Sequence, residues 1–155
     1  MSELLQAIYR GDRDEAERLS ARQELDVFEA AALGRTERLR ELLNAEPGLA
    51  NAWTEDGFQP LGLASFFGNV DAARLLVDRG AEVNSASHNQ MKVMPLHSAA
   101  AAQEPDVRYE ISKLLLEAGA DPNARQQDEY TPLMAADQHG DTRLRELLVE
   151  HGARS

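Results

Sequence analysis

Four histidines and 27 carboxylates are the groups of this 155-residue chain that could hold a metal or move a proton, and their spacing speaks against both. His88, His139 and His151 are separated by 51 and 12 positions, so no two share one helix face at i, i+4, the simplest way a helix presents two zinc ligands. The acidic run Asp12, Asp14, Glu15 and Glu17 is interleaved with Arg13 and Arg18, the i, i+3 and i+4 pattern of a solvated helix surface. There is no cysteine, which removes disulfides, thiolate nucleophiles and thiolate metal sites. No Gly-x-Ser-x-Gly elbow, phosphate loop, His-Glu-x-x-His or dinucleotide fingerprint occurs. A site assembled from scattered residues on an open surface would exclude water poorly. We therefore assign no catalytic residue, no metal ligand and no cofactor, and a stand-alone hydrolase is the weakest reading.

Composition narrows the partners. Hydrophobic residues make up 43% and charged residues 28%, enough apolar content to offset the entropy of ordering a chain. The net charge of −11 repels phosphate backbones and anionic lipid, so no nucleic acid and no membrane is expected, and a protein partner with a basic patch is favoured. No stretch approaches the 18 or so apolar residues of a membrane span, and Met1-Ser2-Glu3-Leu4-Leu5 opens no basic-then-apolar leader, so a cytoplasmic protein is expected.

The elements that must carry any binding group are repeated. Thr131-Pro132-Leu133-Met134-Ala135-Ala136 echoes Met94-Pro95-Leu96-His97-Ser98-Ala99 and Gln59-Pro60-Leu61-Gly62-Leu63-Ala64. The prolines are 35 and 37 positions apart. Each proline suits a first helical turn, where its missing N–H would have no partner. Ala64, Ala99 and Ala136 follow four positions later, and Gly68 and Gly140 end the first helix. The second helix carries an apolar stripe at Ala72/Leu75/Leu76, Ile111/Leu114/Leu115 and Leu144/Leu147/Leu148. Extending the register backwards finds Ala30, Gly34 and Leu39/Leu42/Leu43, then Ala7, Gly11 and Ala16/Leu19. The whole chain reads as one domain of five units: about 1–23 as an abbreviated N-terminal cap, 24–56, 57–91, 92–128, and 129–155 as a polar C-terminal cap. The capped ends predict a monomer. Four residues are inserted in the fourth unit around Gln103 to Tyr109, either a tolerated extension or a partner contact.

These motifs resemble the ankyrin repeat, whose Thr-Pro-Leu-His-x-Ala signature is nearly whole at Thr131 to Ala136 and at Met94 to Ala99. Gly80-Ala81-Glu82-Val83-Asn84 and Gly119-Ala120-Asp121-Pro122-Asn123 extend the likeness over nearly all of the chain. The resemblance implies an all-α solenoid of helix-turn-helix units joined by short β-hairpins, with Asn51, Asn84 and Asn123 bonded to loop backbone and His97 tying hairpin to helix. The glycine usual before the hairpin's return survives as Gly57 but is Lys92 and Glu129 in the other copies. A small stand-alone protein of this kind without cysteine suits a bacterial type.

The resemblance also implies a concave ligand face built from hairpin tips and first helices. By position this gives Trp53, Glu55, Asp56 and Phe58; Gln90 and Met91, with Val93; Gln127, Asp128 and Tyr130; and from the helices Tyr9, Arg10, Phe66, Phe67, Ala101, Ala102, Gln138 and His139. Trp53, Phe58, Phe66 and Phe67 would form one aromatic cluster beside Glu55 and Asp56, a hot-spot composition for a partner supplying Arg or Lys. Trp53 is expected to be exposed, while Phe66 and Phe67 either pack as core or contact the partner. The function expected is noncatalytic protein binding; the alternative is a dedicated regulatory or stabilising subunit of one enzyme.

Overall fold

Short helices that each bury only one stripe need neighbours, and the computed structural model supplies them as five stacked helix pairs. It describes residues 2–154, so Met1 and Ser155 at the ends of the first and last units lie outside the described residues. The pairs are α1 (Glu3–Arg10) with α2 (Arg13–Ser20), α3 (Val27–Leu33) with α4 (Thr36–Ala45), α5 (Pro60–Phe66) with α6 (Val70–Asp78), α7 (Pro95–Ala100) with α8 (Pro105–Glu117), and α9 (Pro132–His139) with α10 (Thr142–Glu150). Pro60, Pro95 and Pro132 each open a first helix. Gly11, Gly34 and Gly140 end α1, α3 and α9 in the left-handed region, at φ 73°, 72° and 64°. One apolar core runs through the stack, with Ala7, Ala30, Ala64, Ala99 and Ala136 fully buried where helices meet and Leu39, Leu76, Ile111, Leu115, Leu144 and Leu148 closing the second-helix side.

The long connections turn back on themselves without building a sheet. Each is closed by a backbone hydrogen bond, Thr54 N to Phe58 O at 2.8 Å, Ser87 N to Val93 O at 2.8 Å and Gln126 N to Tyr130 O at 3.0 Å, joined in the first and third by a turn bond, Gly57 N to Thr54 O and Glu129 N to Gln126 O, both at 3.1 Å. The pairing goes no further, so the hairpins expected here contain no strand among the described residues. Lys92 and Glu129 adopt φ 54° and 61°, close to the left-handed region that Gly57 occupies at 89°, so the turn geometry is kept where the glycine is lost. Gly57 itself is irreplaceable for a further reason: a Cβ there would lie 2.6 Å from the His88 carbonyl oxygen of the next tip.

Asparagine sets the spacing of neighbouring units. Asn51 donates to Gly80 O and accepts from Glu82 N, Asn84 donates to Gly119 O and accepts from Asp121 N, and Asn123 donates to Gly152 O and accepts from Arg154 N, all at 2.8–3.1 Å. The Asn amide carries its donor and acceptor on separate atoms, Nδ2 and Oδ1, and so can span a carbonyl and an N–H two residues apart, which a single hydroxyl oxygen does less well. Asn69 does a related job at the end of α3, donating to Ala31 O at 2.9 Å and Ala32 O at 2.8 Å.

The inserted residues lengthen α8 to 13 residues, against 9 in α6 and in α10. They stitch three units together rather than forming a free loop. Val107 packs over Gly68, where a Cβ would come within 3.1 Å of its Cγ1. Arg108, 4% exposed, donates to Ala102 O at 2.8 Å, to Gln103 O at 3.0 Å and to Asp141 Oδ2 at 2.7 Å. Asp141 in turn caps α10 by accepting from Leu144 N at 3.0 Å.

Gly62 lies inside α5 with nothing within 4 Å of an added Cβ. Gly62→Ala is therefore expected to stabilise the fold by roughly 0.5–1 kcal/mol and raise Tm by about 1–4 °C. A lower Tm in calorimetry would show that the helix needs glycine there.

Candidate functional site

The first helices and the connection tips share one face, and on that face the size of the side chain alternates from unit to unit. Counting two positions after each conserved-register alanine gives Tyr9, Ala32, Phe66, Ala101 and Gln138 in successive units. Tyr9 reaches the third unit, stacking on Phe67 with ring centroids 6.2 Å apart and planes at 12°. It meets Phe58 edge-on at 6.5 Å and 81°. Phe66 and Phe67 make a second edge-on pair at 5.1 Å and 89°. Phe58 and Phe67 pack partly buried against the core, while Phe66 is 52% exposed.

The aromatic cluster therefore exists with a different member from the one expected. Trp53 is half-buried and stacks on His88, at 3.3 Å between centroids and 15° between planes, at the junction of two connection tips. His88 N donates to Gly57 O at 2.8 Å, which holds the imidazole over the indole. Trp53 thus braces two tips instead of standing out into solvent, and Tyr9 takes its place in the cluster. The signal for Tyr9 was its register, two positions past Ala7 as Phe66 is past Ala64; nothing local to His88 announced its stacking.

Beside the cluster lies an apolar groove of about 370 Å³. Phe66, Phe67 and Tyr9 of the cluster line it together with Leu63, Met91, Val93 and His97. Its space exists because Gly62 and Ala101 stand where longer side chains would fill it. His97 presents no free polar atom there: Nδ1 accepts from Met94 N at 3.2 Å, so Nε2 carries the proton and donates to Ala124 O at 3.0 Å. Burial holds the His97 pKa below the ordinary histidine value. Tyr9 keeps its proton for a similar reason, since burial and then the charge of Asp56 push its pKa up. Its hydroxyl is buried without a hydrogen-bond partner in the structure.

The remaining predicted residues divide by exposure. Glu55, Gln90, Met91, Gln127, Asp128, Gln138 and His139 are exposed; Asp56 and Tyr130 are half-buried. Asp56 accepts from the Thr54 hydroxyl and, through its backbone carbonyl, from Asn89 Nδ2 at 3.1 Å. Gln127 N donates to Met91 O at 2.8 Å, locking two tips, and the Tyr130 hydroxyl donates to Gln138 Oε1. Arg10 and Ala101 are exposed, whereas Ala102 is buried and unavailable. Among the described residues no cluster of three or more His, Cys, Asp or Glu is placed to hold a metal ion, and no helix is long and apolar enough to cross a membrane.

Comparison with known proteins adds the family. A family model described as ankyrin repeats (3 copies) matches residues 27–126. The chain is 34% identical over 143 residues to ankyrin repeat, SAM and basic leucine zipper domain-containing protein 1 of Ornithorhynchus anatinus, an alignment covering 92% of this chain and 29% of that protein. It is 31% identical over 166 residues to ankyrin repeat and SOCS box protein 16 of Homo sapiens, covering 83% of this chain and 36% of that protein. It is 33% identical over 112 residues to E3 ubiquitin-protein ligase Ufd4 of Drosophila melanogaster, covering 72% of this chain but 4% of the ligase. The chain thus spans little more than a third, or less, of the length of these relatives.

Proposed function

Because this chain belongs to the ankyrin-repeat family, whose repeats are generally protein–protein interaction modules, we propose that it is a noncatalytic binding protein whose partner docks on the concave face of first helices and connection tips. One observation carries the reading. The large apolar side chains Phe66 and Met91, exposed at 52% and 44%, lie on the same face and line the same groove, whereas the second helices direct their apolar stripes inward. Exposed apolar surface of this kind is stabilised by a partner more than by water. The net charge of −11 favours a partner with a basic patch by steering its approach.

The predicted contact set is Glu55, Asp56, Phe58, Phe66, Phe67, Gln90, Met91, Gln127, Asp128, Tyr130, Gln138 and His139, with Trp53 acting by holding the tips. The test is affinity capture from the native cell with the chain and with a Phe66→Ala, Gln127→Ala, His139→Ala variant. All three residues are exposed, so circular dichroism should be unchanged. Capture of the main partner is expected to fall at least about tenfold, as loss of one hot-spot residue alone does. Undiminished capture by a folded variant would remove this face from consideration. A single stoichiometric enzyme among the captured proteins would turn the reading towards a dedicated regulatory subunit.

A further inference from the structure

The groove beside Phe66 is specific in shape as well as in place. Resting on the concave-face reading above, we infer that it receives one large apolar side chain from an extended segment of the partner, with basic residues immediately beside that anchor. Four large hydrophobics are exposed among the described residues, and two of them, Phe66 and Met91, line this one groove. Its volume of about 370 Å³ is at the small end of ligand sites, which run from roughly 300 to 1,000 Å³. It is partly open to solvent and has room for one or two side chains.

The chemistry along the groove points the same way. Both ring nitrogens of His97 are engaged by backbone, and no Asp, Glu, Lys or Arg lines the groove, whose remaining polar side chains, Tyr9, Ser98 and Gln126, carry no charge. A cationic tip buried there would find no counter-charge, whereas an apolar anchor would meet the side chains of Leu63, Phe66, Met91 and Val93. Charge enters at the connection tips, where Asp56 and Asp128 outnumber Lys92, Glu129 being paired with Arg125. A cationic residue next to the anchor would meet this rim in partly solvated surroundings, where complementarity sets orientation and rate of encounter.

The probe is a library of random twelve-residue peptides displayed on phage and selected on the immobilised chain. Selected peptides are expected to share a Leu, Met, Phe or Trp within three positions of Lys or Arg. Ala101→Phe introduces a large side chain into the groove from an exposed position, so it should weaken those peptides at least tenfold, while Lys113→Ala, exposed on the second helix α8 and outside the contact set, changes their binding less than twofold. Thermal melting of the variants establishes that they are folded. Selected peptides that lack the anchor, are acidic, or bind Ala101→Phe as well as the unaltered chain would overturn the inference, as would failure of any sequence to be enriched. Peptides lost with His139→Ala but kept by Ala101→Phe would refute the anchor alone and leave the concave face standing.

Discussion

Arg108→Ala is expected to destabilise the fold by about 3–5 kcal/mol and to lower Tm by on the order of 10 °C. The side chain is 4% exposed and satisfies three acceptors, the carbonyls of Ala102 and Gln103 and the carboxylate of Asp141. Truncation leaves Asp141 without its cationic partner at a side-chain exposure of 9% and removes the donor from the two carbonyls just beyond α7. A buried pair gains little over an apolar replacement, but a half-broken one is strongly unfavourable. Adding Asp141→Asn should therefore recover part of the loss, because the amide keeps the cap on Leu144 without the charge. Urea unfolding of the two variants measures both effects. A loss under about 1 kcal/mol for the single change would mean that water replaces Arg108 at this junction. Since units in a solenoid are stabilised mainly by their neighbours, the fifth helix pair is the part expected to open first, as hydrogen exchange would register.

His97→Gln is expected to remove an acid sensitivity from the unaltered chain. With Nδ1 accepting from Met94 and Nε2 donating to Ala124, a second ring proton would face the Met94 N–H donor head-on. Burial lowers the His97 pKa from the ordinary value of 6.5. The sign follows: the unfolded chain takes up this proton more readily, so the contribution of neutral His97 is complete above pH 6.5 and is lost as pH falls through the folded value. One proton accounts for at most about 1.4 kcal/mol per pH unit. Falling pH otherwise relieves the self-repulsion of a chain with net charge −11, which works in the opposite direction. The difference between His97→Gln and the unaltered chain, measured by urea unfolding between pH 5 and 7, isolates the histidine. Parallel profiles would sink the assignment. At neutral pH the glutamine variant should still be less stable, by roughly 1–3 kcal/mol, since it cannot span both backbone partners with the ring's geometry.

The two predictions also mark how far the sequence could be read. His97 was legible because its place in the repeated motif fixed its surroundings. Arg108 was not: it lies in the inserted residues around Gln103 to Tyr109, where no second copy supplies a register and a charged residue is ordinarily solvated. The aromatic cluster stands between these cases. Register put Tyr9, Phe66 and Phe67 on one face, but it did not show that Tyr9 reaches past the second unit to Phe58 and Phe67 of the third. Trp53 went astray because its stacking partner His88 is 35 residues away in a connection carrying two extra residues.

Periodicity alone determined that this chain is a row of five helix pairs and which positions face inward, because a stripe repeated at helical spacing has one way to leave water and each unit can bury it only against the next. The groove and its apolar lining were decided by tertiary structure. Gly62 and Ala101 are unremarkable helical residues until packing brings the absence of their side chains beside Phe66 and Met91, and an empty space, unlike a motif, has no residue in the sequence to announce it.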